Sequence, residues 1–318
     1  MSSSMYQELN DGIFRIEVMY QRAGFACAFL LREGDEAALI DTGTNHSVPT
    51  VMELLQQQGL KPEQVKYVMP THVHLDHAGG VGELMRQLPA AKLVVHPFGS
   101  RHMIDPSKLQ AGATAVYGEE KFKQDFGELI AVPEERVLEA ADNFTVELNG
   151  RKLVCLDTPG HARHHYCVYD EKSSGFFSGD TFGISYREFD NHNGQFVFTP
   201  STPVQFDPDA WHATIDRIMG YSPKYMYLTH FGRIENLQPV ADKLHSDLNA
   251  YVELCKSVSA ENRYEQLKAG LKELYLSQLK QHECALPQEQ QEELLSLDLD
   301  INAQGLEVWM QRQEKAKS

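Results

Sequence analysis

The chain has 318 residues, which suggests one large domain, alone or with an appendage. Hydrophobic residues make up 42% of it, which is enough for a buried core. Its 29 Lys and Arg residues against 45 Asp and Glu residues give a net charge of −16, which argues against a nucleic-acid partner because a phosphate backbone normally binds a basic face. The sequence has no run of about 18 apolar residues and no secretion signal at its start, so we predict a cytoplasmic protein without a membrane span.

The cysteines are odd in number, scattered along the chain, and never spaced as C-x-x-C. They are Cys27, Cys155, Cys167, Cys255 and Cys284. This pattern predicts reduced thiols packed as small apolar side chains, not a disulfide framework.

The first forty residues have the patterns of strands. Residues 12–18 alternate between apolar and polar side chains, whereas 25–31 and 37–40 are continuous apolar runs typical of buried strands. Apolar residues at helical spacing then predict a helix over about 48–58, ended by Gly59.

A predicted strand over 65–69 leads directly into the most informative segment of the chain. Four metal-competent side chains, His72, His74, Asp76 and His77, follow it within six residues. Imidazole and carboxylate groups are ligands of zinc, iron or manganese in proteins, so the segment predicts a metal site.

Strands and helices continue to alternate after this segment. Further strands are predicted at 92–95, 144–148, 152–156, 166–169, 175–178 and 224–228. Helices are predicted within 98–127 and after Asp207. Asp207 is a suitable N-cap residue, and the proline that follows it is favoured at the first position of a helix. Beyond about residue 238 strand signals nearly vanish, so we divide the chain into a catalytic domain, 1–238, and a helical extension, 239–318.

Five strand-like runs end at a polar residue that could bind a metal or hold a ligand. The endings are Asp41, Thr71-His72, Asp157 to His161, Ser178-Gly179-Asp180 and Thr229-His230. Strands of one sheet end along a common edge, so these side chains can converge in one pocket. Two sets of three ligands result, His72, His74 and His161 for one metal and Asp76, His77 and His230 for a second. Asp180 has two carboxylate oxygens and could bridge both metals.

The ordered motifs resemble the metallo-β-lactamase fold superfamily, in its glyoxalase II-like branch. The matching segments are Asp41-Thr42-Gly43, His72 to His77, Gly160-His161, Ser178-Gly179-Asp180 and Thr229 to Gly232, within about residues 10–235. The resemblance implies an α/β (α+β) fold, the αββα sandwich of two sheets with helices outside, followed here by the helical C-terminal extension.

The resemblance also implies roles for the site residues. The two ligand sets above would hold two divalent ions, with zinc favoured over iron or manganese, and a hydroxide between ions roughly 3.5–4 Å apart would attack the substrate. Asp41 resembles a carboxylate that orients a ligand histidine without binding metal. Asp76 is a candidate proton donor to the leaving group.

Three features leave alternatives open. His165 stands where relatives often place a further histidine and is a candidate catalytic residue, although local hydrogen bonding is favoured for it and for His164. The aromatic-rich segment 182–206, with a turn at Asn193-Gly194, could form a pocket wall or an ordinary hairpin. The helical extension could pack on the core, cover the pocket or form a homodimer interface.

The leading functional hypothesis is a dinuclear metal-dependent hydrolase of a small ester, thioester or lactone. The alternative is a non-haem iron oxidoreductase acting on oxygen or persulfides, but the diiron branch usually has Glu in place of His74, and the persulfide branch keeps fewer ligands. A nuclease is disfavoured by the charge of −16, and a non-catalytic effector by the intact ligand set. The expected partner is a small-molecule substrate, not a nucleic acid or a membrane.

Overall fold

A computed structural model describes residues 5–201 and 204–317, which divide into two compact units. The sheet unit comprises the chain up to Asp157 together with His164–Gly179 and Pro223–Glu235. The helical unit comprises Thr158–Arg163, Asp180–Ser222 and the chain from Asn236 onward.

The first sheet of the sheet unit contains seven strands that lie side by side in chain order. They are β1 (Tyr6–Glu8), β2 (Ile13–Glu17), β3 (Cys27–Glu33), β4 (Glu36–Ile40), β5 (Val65–Met69), β6 (Lys92–Val95) and β7 (Val137–Glu139). The pairs from β1 to β4 are antiparallel, and those from β4 to β7 are parallel. Parallel neighbours end at the same edge, so the residues after β4, β5 and β6 lie close together.

The second sheet of the sheet unit has six strands in the order β15-β14-β11-β10-β9-β8. They are β8 (Phe144–Leu148), β9 (Arg151–Asp157), β10 (Tyr166–Asp170), β11 (Gly175–Gly179), β14 (Tyr225–Leu228) and β15 (Gly232–Ile234). Strands β11 and β14 are parallel, so Asp180 and Thr229 follow strands that run in the same direction.

The two sheets share one apolar core. The ring of Phe29 from the first sheet lies 5.2 Å from that of Phe177 and 5.7 Å from that of Tyr227, both from the second sheet. All three rings are buried, as the continuous apolar runs of their strands predict. The mixed α/β fold with two facing sheets is therefore confirmed.

Within the described residues, six α-helices belong to the sheet unit. They are α1 (Val48–Gln57), α2 (Leu75–Ala78), α3 (Val81–Gln87), α4 (Pro97–Ile104), α5 (Ser107–Tyr117) and α6 (Glu119–Phe126). Helix α1 buries Val48, Val51, Leu54 and Leu55, the face predicted from their spacing. The helical prediction for 98–127 is also confirmed, with breaks at Gly118 and the residues around Asp105.

The helical unit contains a two-stranded hairpin and four helices. They are β12 (Ile184–Ser185), β13 (Val197–Phe198), α7 (Pro208–Met219), α8 (Leu237–Ser257), α9 (Arg263–Gln281) and α10 (Gln288–Lys317). Asp207 caps α7 as predicted, because its Oδ1 accepts a hydrogen bond from the backbone N–H of Ala210 at 3.1 Å. The helical C-terminal extension is confirmed, whereas the division at residue 238 stays a prediction.

The aromatic segment 182–206 forms the predicted hairpin. Asn191 and Gly194 exchange backbone hydrogen bonds of 3.1 and 3.0 Å across its turn. Phe198 is buried 5.2 Å from the ring of Tyr275, and Phe206 is buried 5.9 Å from that of Trp309. Burial of these rings within the helical unit favours the ordinary hairpin over the pocket wall.

All five cysteines are free thiols, as predicted. Four are buried, and Cys284 is half-buried. In the described part of the chain, no helix combines the length and the apolar character needed to cross a bilayer.

Candidate metal centre

The predicted ligand segment lies where strand β5 passes into helix α2. Strand β5 ends at Met69, and α2 begins at Leu75 with His74 as its N-cap. His72 and His74 therefore lie in the loop before the helix, whereas Asp76 and His77 lie in its single turn. The assignment of the two pairs to different metal ions stays a prediction.

Asp41, the residue after β4, receives hydrogen bonds from three sides. Its Oδ1 accepts from the backbone N–H of Thr71 at 2.7 Å, and its Oδ2 accepts from Oγ1 of Thr229 at 2.6 Å. The same Oδ2 lies 2.9 Å from Nδ1 of His77. A carboxylate only accepts, so Nδ1 of His77 carries a proton and its Nε2 presents a lone pair. Asp41 is buried and orients His77 without facing the site itself.

His230, two residues past β14, is oriented in the same way by a backbone carbonyl. The oxygen of Phe25 lies 2.8 Å from Nδ1 of His230, so that nitrogen donates and Nε2 is the atom that faces the candidate site. Nε2 of His230 lies 3.2 Å from Oδ2 of Asp76, and Nε2 of His77 lies 3.7 Å from the same oxygen.

Asp76, His77 and His230 thus form a group of three potential metal ligands. One ligand atom from each lies within 4.8 Å of the others. Two imidazoles and a carboxylate, with both ring orientations already fixed by Nδ1 hydrogen bonds, are a donor set that fits zinc, iron or manganese. His77 is fully buried, whereas the Asp76 side chain is 23% exposed, so the group is accessible from the Asp76 side.

His72 and His74 extend this group within the sheet unit. Nε2 of His72 lies 2.8 Å from Nδ1 of His74, and the His72 ring centroid lies 4.0 Å from that of His77. Five of the seven predicted ligands therefore form one cluster at the ends of β5 and β14.

The other two predicted ligands, His161 and Asp180, lie together in the helical unit. Nε2 of His161 is 3.4 Å from Oδ2 of Asp180, and Nδ1 of His161 is 2.9 Å from the carbonyl oxygen of Pro200. The preceding Gly160 has φ +135, and a Cβ atom there would lie 2.5 Å from Cβ of Trp211. The close packing of α7 on this glycine fixes the backbone that carries His161.

The two further histidines after His161 are both buried in the sheet unit. The ring of His165 lies 4.9 Å from that of His72, and its Nε2 abuts Gly179 so closely that a Cβ there would be 2.6 Å away. Complete burial of His165 favours the local role over a substrate contact, and its catalytic role stays a prediction. Burial, followed by the nearby His74, lowers the pKa of His164 to about 3, so this imidazole is neutral.

The sequence analysis named Thr71 and Thr229 at the strand ends but did not assign them a partner. Both donate hydrogen bonds to Asp41 and directly precede a predicted ligand histidine, and this repeated Thr-His pair is a signal that could have indicated their shared role. The Phe25 carbonyl has no such signal, because any residue type offers a backbone oxygen.

A family model described as the metallo-beta-lactamase superfamily matches residues 22–230. The chain is 26% identical over 246 residues to the metallo-beta-lactamase fold-containing protein ST1585 of Sulfurisphaera tokodaii, covering 74% of this chain and 85% of that protein. The crystal structure of ST1585 resembles this fold with a TM-score of 0.62 and 19% identity, covering 94% of this chain and 99% of that one.

Two further relatives have names that describe an activity. The acyl-coenzyme A thioesterase MBLAC2 of Homo sapiens is 27% identical over 194 residues, covering 55% of this chain and 65% of that protein. The hydroxyacylglutathione hydrolase of Methylobacillus flagellatus is 30% identical over 169 residues, covering 52% of each chain. The family match includes the ligand segment after β5 and ends at His230, so the chain belongs to the metallo-beta-lactamase superfamily.

Proposed function

We propose that this metal-dependent hydrolase holds two divalent metal ions and cleaves a small thioester, ester or lactone. The observation that carries the proposal is the group of Asp76, His77 and His230, whose two imidazoles are already oriented for metal binding by Asp41 and by the Phe25 carbonyl. Such supporting hydrogen bonds are a regular feature of metal sites.

The proposal assigns the remaining predicted ligands to the same centre. His72 and His74 would hold one ion with His161, and Asp180 would bridge to the ion held by the group around His77. Chain connectivity supports this assignment, because Asp180 directly follows Gly179, and a Cβ at Gly179 would lie 2.5 Å from Oγ1 of Thr71. Zinc is the favoured metal, with iron or manganese as alternatives, because all three accept imidazole and carboxylate ligands.

Two divalent ions at such a centre supply a hydroxide nucleophile near neutral pH and polarise the substrate carbonyl. The residues of the chain hold this arrangement fixed. Asp41 keeps the proton of His77 on Nδ1, and the Phe25 carbonyl does the same for His230. Asp76 is the candidate that would pass a proton to the leaving group after first accepting it from the attacking hydroxide, and its side chain is 23% exposed while that of His230 is 4% exposed.

The relatives support a thioester in particular. Both MBLAC2 and the Methylobacillus enzyme carry names of thioester-cleaving hydrolases, although each match covers only half to two thirds of the relative. The thiolate of a thioester is a better leaving group than the alkoxide of an ester. Cleavage of a thioester therefore depends less on protonation of the leaving group.

Metal analysis combined with a substrate panel tests the proposal. Protein purified without added metal should carry about two divalent ions per chain and hydrolyse at least one of a set of thioesters, esters and lactones. Asp180→Asn should lose metal and turnover, while Asp190→Asn, which changes the half-buried partner of Arg187 in the same unit, should retain both. Full activity in Asp180→Asn would refute the bridging role, and iron-loaded protein without hydrolase activity would contradict the function.

A further inference from the structure

The first turn of helix α4 is packed directly on the loop that carries His72 and His74. Gly99 lies in this turn, and a Cβ atom there would be 2.8 Å from Cγ1 of Val73, the residue between the two histidines. It would also be 3.2 Å from Cγ2 of Val95 at the end of β6. The absence of a side chain at Gly99 lets the helix approach this closely.

His96 fixes the start of the same helix. Its Nδ1 accepts a hydrogen bond from the backbone N–H of Phe98 at 3.1 Å, and its Nε2 lies 3.2 Å from Oδ1 of Asp157 at the end of β9. The backbone of Phe98 is thus fixed next to the ends of β6 and β9 and to the loop that carries His72 and His74.

The side chain of Phe98 is nevertheless 64% exposed, whereas Met103 in the same helix is 5% exposed. Its ring lies 5.3 Å from that of His96, which is only 5% exposed, so the phenyl ring alone provides the exposed aromatic surface at the helix start. A single exposed apolar side chain is ordinary on a protein surface. Phe98 differs from such a side chain because its backbone is fixed beside the loop that carries His72 and His74.

His164 connects this surface to the candidate metal centre. Its Cβ lies 3.7 Å from the position of a Cβ at Gly99, and its ring lies 5.5 Å from that of His74. His164 thus lies next to both His74 and the first turn of α4, the turn that carries the exposed ring of Phe98. An exposed phenyl ring suits an apolar part of a substrate better than a charged carrier group.

We propose that Phe98 is a specificity-determining residue that packs against the apolar acyl chain of the substrate. The inference rests on the proposed hydrolase function, since the acyl chain is placed by a carbonyl bound at the metal centre. An acyl chain that reaches Phe98 would cover the ring and remove apolar surface of both groups from water. A two-carbon acyl group has a single methyl group beyond its carbonyl, which is too little apolar surface for such a contact.

The test uses the full-length, metal-loaded protein and N-acetylcysteamine thioesters with acyl chains of increasing length. Phe98→Ala should raise KM for the octanoyl thioester about 10-fold while leaving kcat and the acetyl thioester unchanged. Phe98→Leu keeps an apolar side chain and should recover most of the octanoyl affinity. Arg101→Ala, one helical turn further on, is the matched control and should have no chain-length effect.

The outcomes separate this inference from the function on which it rests. Wild-type protein that contains metal but cleaves no thioester, ester or lactone would overturn both. Wild-type hydrolysis with equal effects of Phe98→Ala on acetyl and octanoyl thioesters, or with no effect, would overturn the role of Phe98 alone. A larger effect of Arg101→Ala would point to a charged substrate group and would also overturn it. Metal content and circular dichroism of each variant show whether the fold is intact.

Discussion

Replacement of Asp41 by Asn should remove the hydrogen bond that orients His77 while the overall fold is retained. The Asn carbonyl can still accept from the N–H of Thr71, but the amide nitrogen would replace the oxygen that now faces both Thr229 and Nδ1 of His77. An amide N–H cannot accept from a second donor, so His77 would move its proton to Nε2, the atom needed for the metal.

The magnitude follows from these contacts. Loss of a partner that orients a ligand histidine typically lowers metal affinity about 10–100-fold. A buried donor left without its acceptor should also lower the free energy of unfolding of the metal-free protein by about 1–3 kcal/mol. Competition with a chromogenic chelator measures the first quantity, and urea denaturation measures the second.

Thr229→Val is the matched control for this prediction. It removes the hydroxyl that donates to the same oxygen at 2.6 Å, but it leaves the bond between Asp41 and His77. Its metal affinity should therefore fall much less than that of Asp41→Asn. Wild-type metal affinity in Asp41→Asn, or an equal loss in both variants, would refute the reasoning.

Two further predictions concern packing and thiol chemistry. Gly160→Ala should lower the free energy of unfolding by about 2–4 kcal/mol, because the new methyl group would meet Trp211 at 2.5 Å in a backbone with φ +135. Gly194→Ala, also at positive φ but with no atom within 4 Å, should cost only about 1 kcal/mol in the same denaturation assay, and equal losses would contradict the packing argument. Burial raises the pKa of Cys255 to about 12, so this thiol stays protonated at pH 8, and only the half-buried Cys284 should react rapidly with a disulfide reagent. Native protein should therefore show one fast-reacting thiol and denatured protein all five; rapid labelling of Cys255 in native protein would contradict this expectation.

The longer elements could be predicted from the sequence because their signals are local. Strand β5 is a mostly apolar run followed by a proline, and helix α7 begins with an Asp-Pro cap, so neither depends on distant residues. Strands β7 and β15 have only three residues each and were missed. A strand of that length has too few side chains to show a period and exists because a neighbouring strand offers hydrogen bonds.

The candidate site shows the same division between local and distant information. The cluster of His72, His74, Asp76, His77 and His230 could be predicted because each side chain follows a recognisable strand and offers a nitrogen or oxygen atom to a metal, and their metal binding stays a prediction. Asp41 was predicted as an orienting group from its motif, whereas the partner of His230 could not be predicted, since it is a backbone carbonyl 205 residues away. The packing of the first turn of α4 was not predicted for a related reason, because the contact between Gly99 and Val73 joins segments that are distant in the sequence.

The way the chain alternates between the two units has a consequence for truncated forms of the protein. Residues 180–222 belong to the helical unit, yet they precede strand β14 of the sheet unit. Expression of residues 1–238 alone would therefore retain the hairpin of the helical unit but delete Tyr275 and Trp309, on which Phe198 and Phe206 pack. Such a fragment would present uncovered aromatic rings to solvent and should aggregate, so the C-terminal helices cannot be regarded as a detachable module.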